Sequence, residues 1–251
     1  METSIVSLEN RGMTAIVRFK ERDDLFATDS RAMISSWEAL ENIQIQDKRV
    51  VFFRMPRGFL SPHLVDSFWE LAKEAPIDHA PRRGRALPKM VAAADASLKR
   101  GLAFLKSIPA FTISAGEGEI DFDLLGLMLV CNYRMCTADT VFVNHTLSRN
   151  VAPGSGTPWF LTRAIGRARA ERLYMDEASL TAQEALELGI VHQICESDSL
   201  EQEGLVVAQR FEEHDPTALQ SMMQAMDLVD LDLAQYLEKA GSGFGALPKA
   251  S

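Results

Sequence analysis

The chain has 251 residues, 47% of them hydrophobic and 24% charged, with a formal net charge of −9. That much apolar material supports one large core, or a main domain with a smaller helical appendage, and the acidic balance argues against nucleic acid as a partner, which calls for a basic face. Cys131, Cys136 and Cys195 stand on apolar stretches without CxxC spacing or a paired histidine cluster, so they read as small buried hydrophobes. Neither a disulfide framework, a metal site nor a cofactor is expected. The first residues, METSIVSLENRGM, carry an early glutamate and no apolar leader core, and no later run approaches the ~18 apolar residues of a membrane span, which makes a cytoplasmic protein the expectation.

In chain order, Ser4 to Leu8 and Met13 to Phe19 read as two strands joined by an Asn10-Arg11-Gly12 turn. A helix with Met33, Ile34, Trp37, Leu40 and Ile43 at helical spacing follows, capped by Asp29 or Ser30. The run Val50 to Met55 is a continuous apolar strand of the kind buried on both faces. Arg57 to His63 is loop and Leu64 to Ala75 helix. The segment 76–88 is dense in Pro, Arg and Gly, and its Arg82, Arg83 and Arg85 read as a solvated basic loop or as phosphate contacts. A helix from Lys89 to Ser107 leads to a strand from Ala110 to Ser114.

The stretch 114–161 then bends sharply before a short apolar helix near Asp123, passes a strand through Val141 and Phe142, and opens a further helix at Pro153-Gly154-Ser155-Gly156. Backbone N–H groups at the start of a helix are natural donors to an anion, so this is where chemistry is sought. Phe160 to Met175 reads as one helix, Ser179 to Gly189 as a second, Ile190 to Cys195 as a strand, Leu200 to Glu212 as a helix, and the residues from Asp215 to Ala240 as more helix.

Several of these pieces together resemble the crotonase, or enoyl-CoA hydratase/isomerase, superfamily. They are Gly118 before the bend, Cys131-Asn132 where that superfamily commonly has Cys-Asp, Ala138 to Phe142, Pro153 to Gly156, Leu161-Thr162-Arg163 with Ile165-Gly166, and LTAQEALELGIVHQI. Phe59, Ser61, Pro62, His63, Leu64 and Val65 resemble its first oxyanion loop. The resemblance implies an α/β fold, a crotonase-like spiral of ββα units over 1–196, with a C-terminal helical region over 197–251. It also implies an acyl-CoA or acyl-carrier-protein thioester as substrate, a homo-oligomer (trimer or hexamer), and two backbone N–H groups, those of Ser61 and Asp123 by position, that hold the thioester oxygen. Such fixed donors stabilise charge that develops on the carbonyl without reorganising.

The departures from the pattern are equally informative. Where two glutamates flank the alkene in the hydratases, this chain has Gly126 and Thr146, neither able to transfer a proton as a carboxylate does. Asp121-Phe122-Asp123-Leu124 replaces the usual Gly-rich bend, a proline stands at the usual glycine of the first loop, and Leu64 at its usual aspartate. His145 is the candidate replacement base, although strand alternation turns 145 away from whatever 146 faces. Asp121 and Glu119 are further candidate bases, His63 and Asp66 a candidate pair across the pocket, and Trp159 a pocket wall or a helix anchor. Asp123 also reads as an ordinary N-cap. His79, His192 and His214 read as solvent or boundary histidines, and Trp37, Phe68 and Trp69 as packing. Two readings stay open: an enzyme with non-standard acid/base residues, and a superfamily member that kept the fold and serves as a thioester-binding or assembly subunit.

Overall fold

Short strands, several of them rich in Val, Ile and Phe, build two sheets. The computed structural model describes residues 6–20, 45, 47–74 and 89–227; the helix read over 33–43, the Arg-rich segment 76–88 and the chain beyond 227 lie outside them. Strands β1 (Val6–Arg11) and β2 (Thr14–Phe19) form a hairpin with Arg11 opposite Thr14. Its turn is Gly12-Met13 rather than Asn10-Arg11-Gly12, because Gly12 adopts φ 57°, the first position of a II′ turn whose twist suits the paired strands. Pairing therefore continues through Asn10 and Arg11.

Strand β3 (Val50–Arg54) lies parallel to β2, and β4 (Phe111–Gly116) parallel to β3. Residues Val51 and Phe53 face one core and Val50 and Phe52 a second, so the uninterrupted apolar run reports burial on both faces. Beyond β4 the chain alternates between sheets. Strand β5 (Glu119–Asp121) joins β7 (Val141–Val143) and β8 (Leu180–Thr181), while β6 (Tyr133–Thr137) and β9 (Gln193–Cys195) complete the large sheet in the order β1-β2-β3-β4-β6-β9. The turns that begin at β4 and β6 thus contribute one strand to each sheet and then helix, the expected ββα pattern, while in the last turn a helix stands between β8 and β9.

Eight helices lie among the described residues. The first, α1 (Pro62–Glu74), begins at Pro62 rather than Leu64, with Ser61 Oγ accepting from the Leu64 amide at 3.4 Å. Proline suits a first turn because its missing N–H would have no partner there. Next come α2 (Lys89–Ser107) and α3 (Phe122–Leu129). The predicted single helix over 160–175 is two, α4 (Thr157–Ile165) and α5 (Arg167–Met175), because Gly166 at φ 82° and ψ 152° breaks the ladder. Helix α6 (Ala182–Glu187) starts at a Thr181–Glu184 capping box rather than at Ser179, and Gly189, at φ 77°, follows its end as predicted. Strand β9 is shorter than the predicted 190–195. Helix α7 (Leu200–Glu212) covers the outer face of the large sheet, where Gly204 lets its backbone meet the Phe52 ring and Phe211 stacks on Phe111 at 3.7 Å between centroids; α8 (Pro216–Asp227) follows. No helix among the described residues is long and apolar enough to cross a membrane.

Arg134 on β6 ties two helix ends together. Its guanidinium donates to Ile190 O (2.6 Å), Cys131 O (3.0 Å) and Gly189 O (3.1 Å), and its amide donates to His192 Nδ1 (3.0 Å). Burial, aided by this cation, holds His192 down to about 4, and the ring stacks on Tyr133. Arg134→Met leaves three carbonyls unpaired, and urea unfolding is expected to show a loss of about 1–3 kcal/mol.

Candidate active site

The N-terminus of α3 is buried, charged and pressed against three other segments. Asp121, not Asp123, is its N-cap: Asp121 sits at φ −76°, ψ 138°, and its Oδ1 accepts from the Asp123 amide at 2.8 Å. The amide expected to hold a thioester oxygen is thus already engaged within the protein. The other expected donor, the Ser61 amide, bonds Gly58 O at 3.2 Å. The two loops do meet, since the Asp121 amide donates to Leu60 O at 2.8 Å.

Asp121 has no exposed surface, yet it carries a carboxylate, and the compensating charge comes from Arg149, on the loop between β7 and α4. The Arg149 side chain is only 8% exposed and reaches Asp66 Oδ1 on α1 (Nε, 2.7 Å), Asp121 Oδ2 (Nη2, 2.7 Å) and Asp123 Oδ2 (Nη1, 3.6 Å). The approach to Asp121 lies off the N–H direction, so Nη1, Nη2 and Asp121 Oδ2 have ion-pair neighbours without a linear hydrogen bond among the described residues. Asp123 is held more loosely. Its Oδ1 accepts from Thr146 Oγ1 at 3.5 Å and from the Gly154 amide at 3.4 Å. Burial, and then the neighbouring Asp121 carboxylate, push Asp123 up to about 7. Burial raises Asp121 as well, against the pull of Arg149.

Asp123 is one of the residues around an apolar cleft walled by Val65, Phe68, Trp69, Ala94, Leu98 and Leu124, with Ser155 at its edge; its carboxyl oxygens turn behind that wall to Thr146, Gly154 and Arg149. The cleft is narrow, with a cavity volume of about 20 Å³. A carboxyl raised by burial next to an apolar cleft marks a candidate acid–base group.

Gly126 has no room for a side chain. Its amide donates to Thr157 Oγ1 at 2.8 Å, and a Cβ built on it would overlap the Ser155 carbonyl oxygen and lie 2.9 Å from that carbonyl's carbon. Ser155 is held at φ 51° and Asn150 at φ 55°, left-handed conformations that non-glycine residues adopt at a cost. This loop thereby fills the space over α3 at position 126.

The remaining predicted residues are scattered. Thr146 is fully buried against Asp123, whereas His145 is exposed, with its carbonyl accepting from the Arg149 amide. Exposed positions are also found for His63 and Glu119, and neither lines the cleft. Trp159 is buried, with the Arg163 guanidinium 3.5 Å over its ring, and lines a separate groove between α4 and α5. Asp66 meets Arg149 rather than His63 as a partner. The cysteines are free and buried, their thiols pushed up to about 12 by burial. Sequence reasoning missed Arg149 and Thr157. For Arg149 a signal existed: two aspartates flanking a phenylalanine at the head of an apolar helix need a buried cation nearby.

Residues 86–245 match the profile of the family described as Enoyl-CoA hydratase/isomerase. The chain belongs to this enoyl-CoA hydratase/isomerase family. Among similar proteins, the trans-2-decenoyl-[acyl-carrier-protein] isomerase of Streptococcus mutans is 32% identical over 97 residues, 39% of this chain and 37% of that protein. The probable mitochondrial enoyl-CoA hydratase 2 of Arabidopsis thaliana is 27% identical over 143 residues, 57% of this chain and 48% of that one. The match thus spans half or less of these curated relatives. In fold, an enoyl-CoA hydratase from Bacillus halodurans superposes with a TM-score of 0.76 over 98% of this chain and 96% of its own, at 17% identity. The spiral of ββα units is therefore the crotonase fold, and Gly126 and Thr146 stand in a family member.

Proposed function

We propose that this family member is an enoyl-thioester enzyme in which Asp123 alone carries the proton, and that moving a double bond is the reaction this favours. The observation that carries the reading is one carboxyl, pushed up to about 7 by burial and by Asp121, on a residue that lines an apolar cleft, while the position 126 is closed to any side chain. Hydration by two carboxylates needs a second group to activate water. A 1,3-proton shift does not: the Asp123 carboxylate takes a proton from the α carbon of a 3-enoyl thioester, the C–H electron pair passes into a dienolate, and the resulting carboxylic acid returns the proton to the γ carbon. The similarity to a protein named as an isomerase of an acyl-carrier-protein-bound enoyl chain supports this choice. A thioester oxygen approaching the start of α3 exchanges with Asp121 Oδ1 at the Asp123 amide, while Asp121 keeps Arg149 through Oδ2. We assign a thioester of CoA or of an acyl-carrier protein as substrate, in a homo-oligomer.

The test is a set of 2-enoyl and 3-enoyl thioesters, on CoA and on acyl-carrier protein, incubated with the protein in deuterated water. Proton NMR is expected to show double-bond migration with deuterium at the α or γ carbon and no 3-hydroxy product. Thermal protection by thioesters without turnover on any of them would instead favour a binding subunit. Formation of the 3-hydroxy thioester as main product would refute the single-carboxyl reading.

A further inference from the structure

We propose that Arg149 is a positioning residue for proton transfer at this site: it pins Asp121 as the ionised cap of α3 and so leaves the exchangeable proton to Asp123, the one carboxylic acid among the residues that line the cleft. The inference rests on the reading of Asp123 as the acid–base group, and it adds two residues, Arg149 and Asp121, that never touch substrate carbon.

The argument is one of charge and distance. Asp121 and Asp123 are buried together with a single guanidinium, and the trio is neutral only when one carboxyl keeps its proton. Asp66, with 53% of its side chain exposed, is stabilised by water as well as by Arg149. Between the two buried groups the guanidinium discriminates by nearly an ångström, 2.7 Å to Asp121 against 3.6 Å to Asp123. Asp121 also accepts a 2.8 Å bond from a helix-start amide, whereas both hydrogen bonds to Asp123 are 3.4 Å or longer. Each difference places the negative charge on Asp121. The titratable groups facing Asp123 are Asp121 and Arg149, and Asp66 from α1 meets the other edge of the same guanidinium. From α2 the cleft receives only Ala94 and Leu98, and from the loop before α4 only Ser155. The upward displacement of Asp123 by its neighbour Asp121 agrees with this division.

Two changes should move the Asp123 titration in opposite directions. Arg149→Gln removes a nearby cation and is expected to raise its midpoint, near pH 7 in the native protein, by about 1 pH unit or more. Asp121→Asn removes a nearby anion and is expected to lower it, while the asparagine oxygen still caps the helix. Arg149→Lys keeps the charge and should restore the midpoint part of the way. The measurement is a carboxyl ¹³C NMR titration of the intact protein, with Asp123→Asn identifying the resonance, followed by the pH profile of kcat on the thioester that turns over fastest. Opposed displacements support the inference whatever the turnover experiments give. Midpoints that stay put, or move together, overturn it, and turnover under those conditions leaves the reading of Asp123 intact.

Discussion

Asp123→Asn is expected to cut turnover of enoyl thioesters by about 10²- to 10⁴-fold, the usual contribution of a positioned acid–base group. The asparagine has the same shape, and the Thr146 and Gly154 contacts to Oδ1 can persist, so KM should change far less than kcat. The same substitution is expected to stabilise the protein in alkaline solution. Asp123 titrates at about 7 in the folded chain against 3.8 for an ordinary aspartate. Between those two values the folded state holds a proton that the unfolded chain has released, so the contribution of this group to stability is fullest below pH 3.8 and is lost as pH rises towards 7. Above pH 7 the native protein buries a charge that the variant lacks. Thermal unfolding at pH 5 and pH 8 separates the effects: the variant should gain over the native protein at both, and clearly more at pH 8 than at pH 5. A gain in stability joined to a loss of turnover is the pattern of a group kept for chemistry rather than for folding. Equal turnover in the two proteins would remove Asp123 from the mechanism.

Gly126→Ala is expected to be among the most damaging small substitutions in the chain. The new methyl group would occupy the position of the Ser155 carbonyl oxygen, a backbone atom that no rotamer change can withdraw. Overpacking of this kind typically costs about 1–3 kcal/mol, and a backbone clash belongs at the upper end. For a chain of this size that lowers Tm by roughly 5–10 °C. Ser155→Gly, which retains the carbonyl and relieves a left-handed serine, should leave the penalty of Gly126→Ala unrelieved. Gly126→Glu is the stronger test. Placing a glutamate at this position should yield an unstable protein and no hydration, because the loop before α4 occupies the volume the side chain needs. A soluble Gly126→Glu protein of native stability that hydrates 2-enoyl thioesters would show that this loop moves aside freely.

How much of this was legible before the coordinates depends on the range of the interaction concerned. The large sheet follows from local pattern: Val50 to Met55 has no polar alternation because both its faces are covered, and the bend, short helix and second strand of 114–143 follow one another as their residue types require. The boundaries that failed did so for local backbone reasons. Gly12 begins a two-residue turn and extends the hairpin, and Gly166 splits a continuous helical pattern in two. Both glycines were visible; their φ angles were not.

The chemistry divides differently. That Gly126 and Thr146 cannot transfer protons is a matter of side-chain composition, and composition is complete in the sequence. Which remaining group lies at the cleft is a matter of distances between segments tens of residues apart. His145 was the candidate base and Asp123 a candidate only through its amide or as a cap, and the fold exposes the first while burying the second. The sequence alone established the family pattern and the absence of a carboxylate at positions 126 and 146, because residue identity and short-range periodicity carry that information. The pairing of Arg149 with Asp66, Asp121 and Asp123, the closure of position 126 by Ser155 and the elevated titration of Asp123 arose only in three dimensions, since each depends on how much water and which charge surround a group once remote loops have converged.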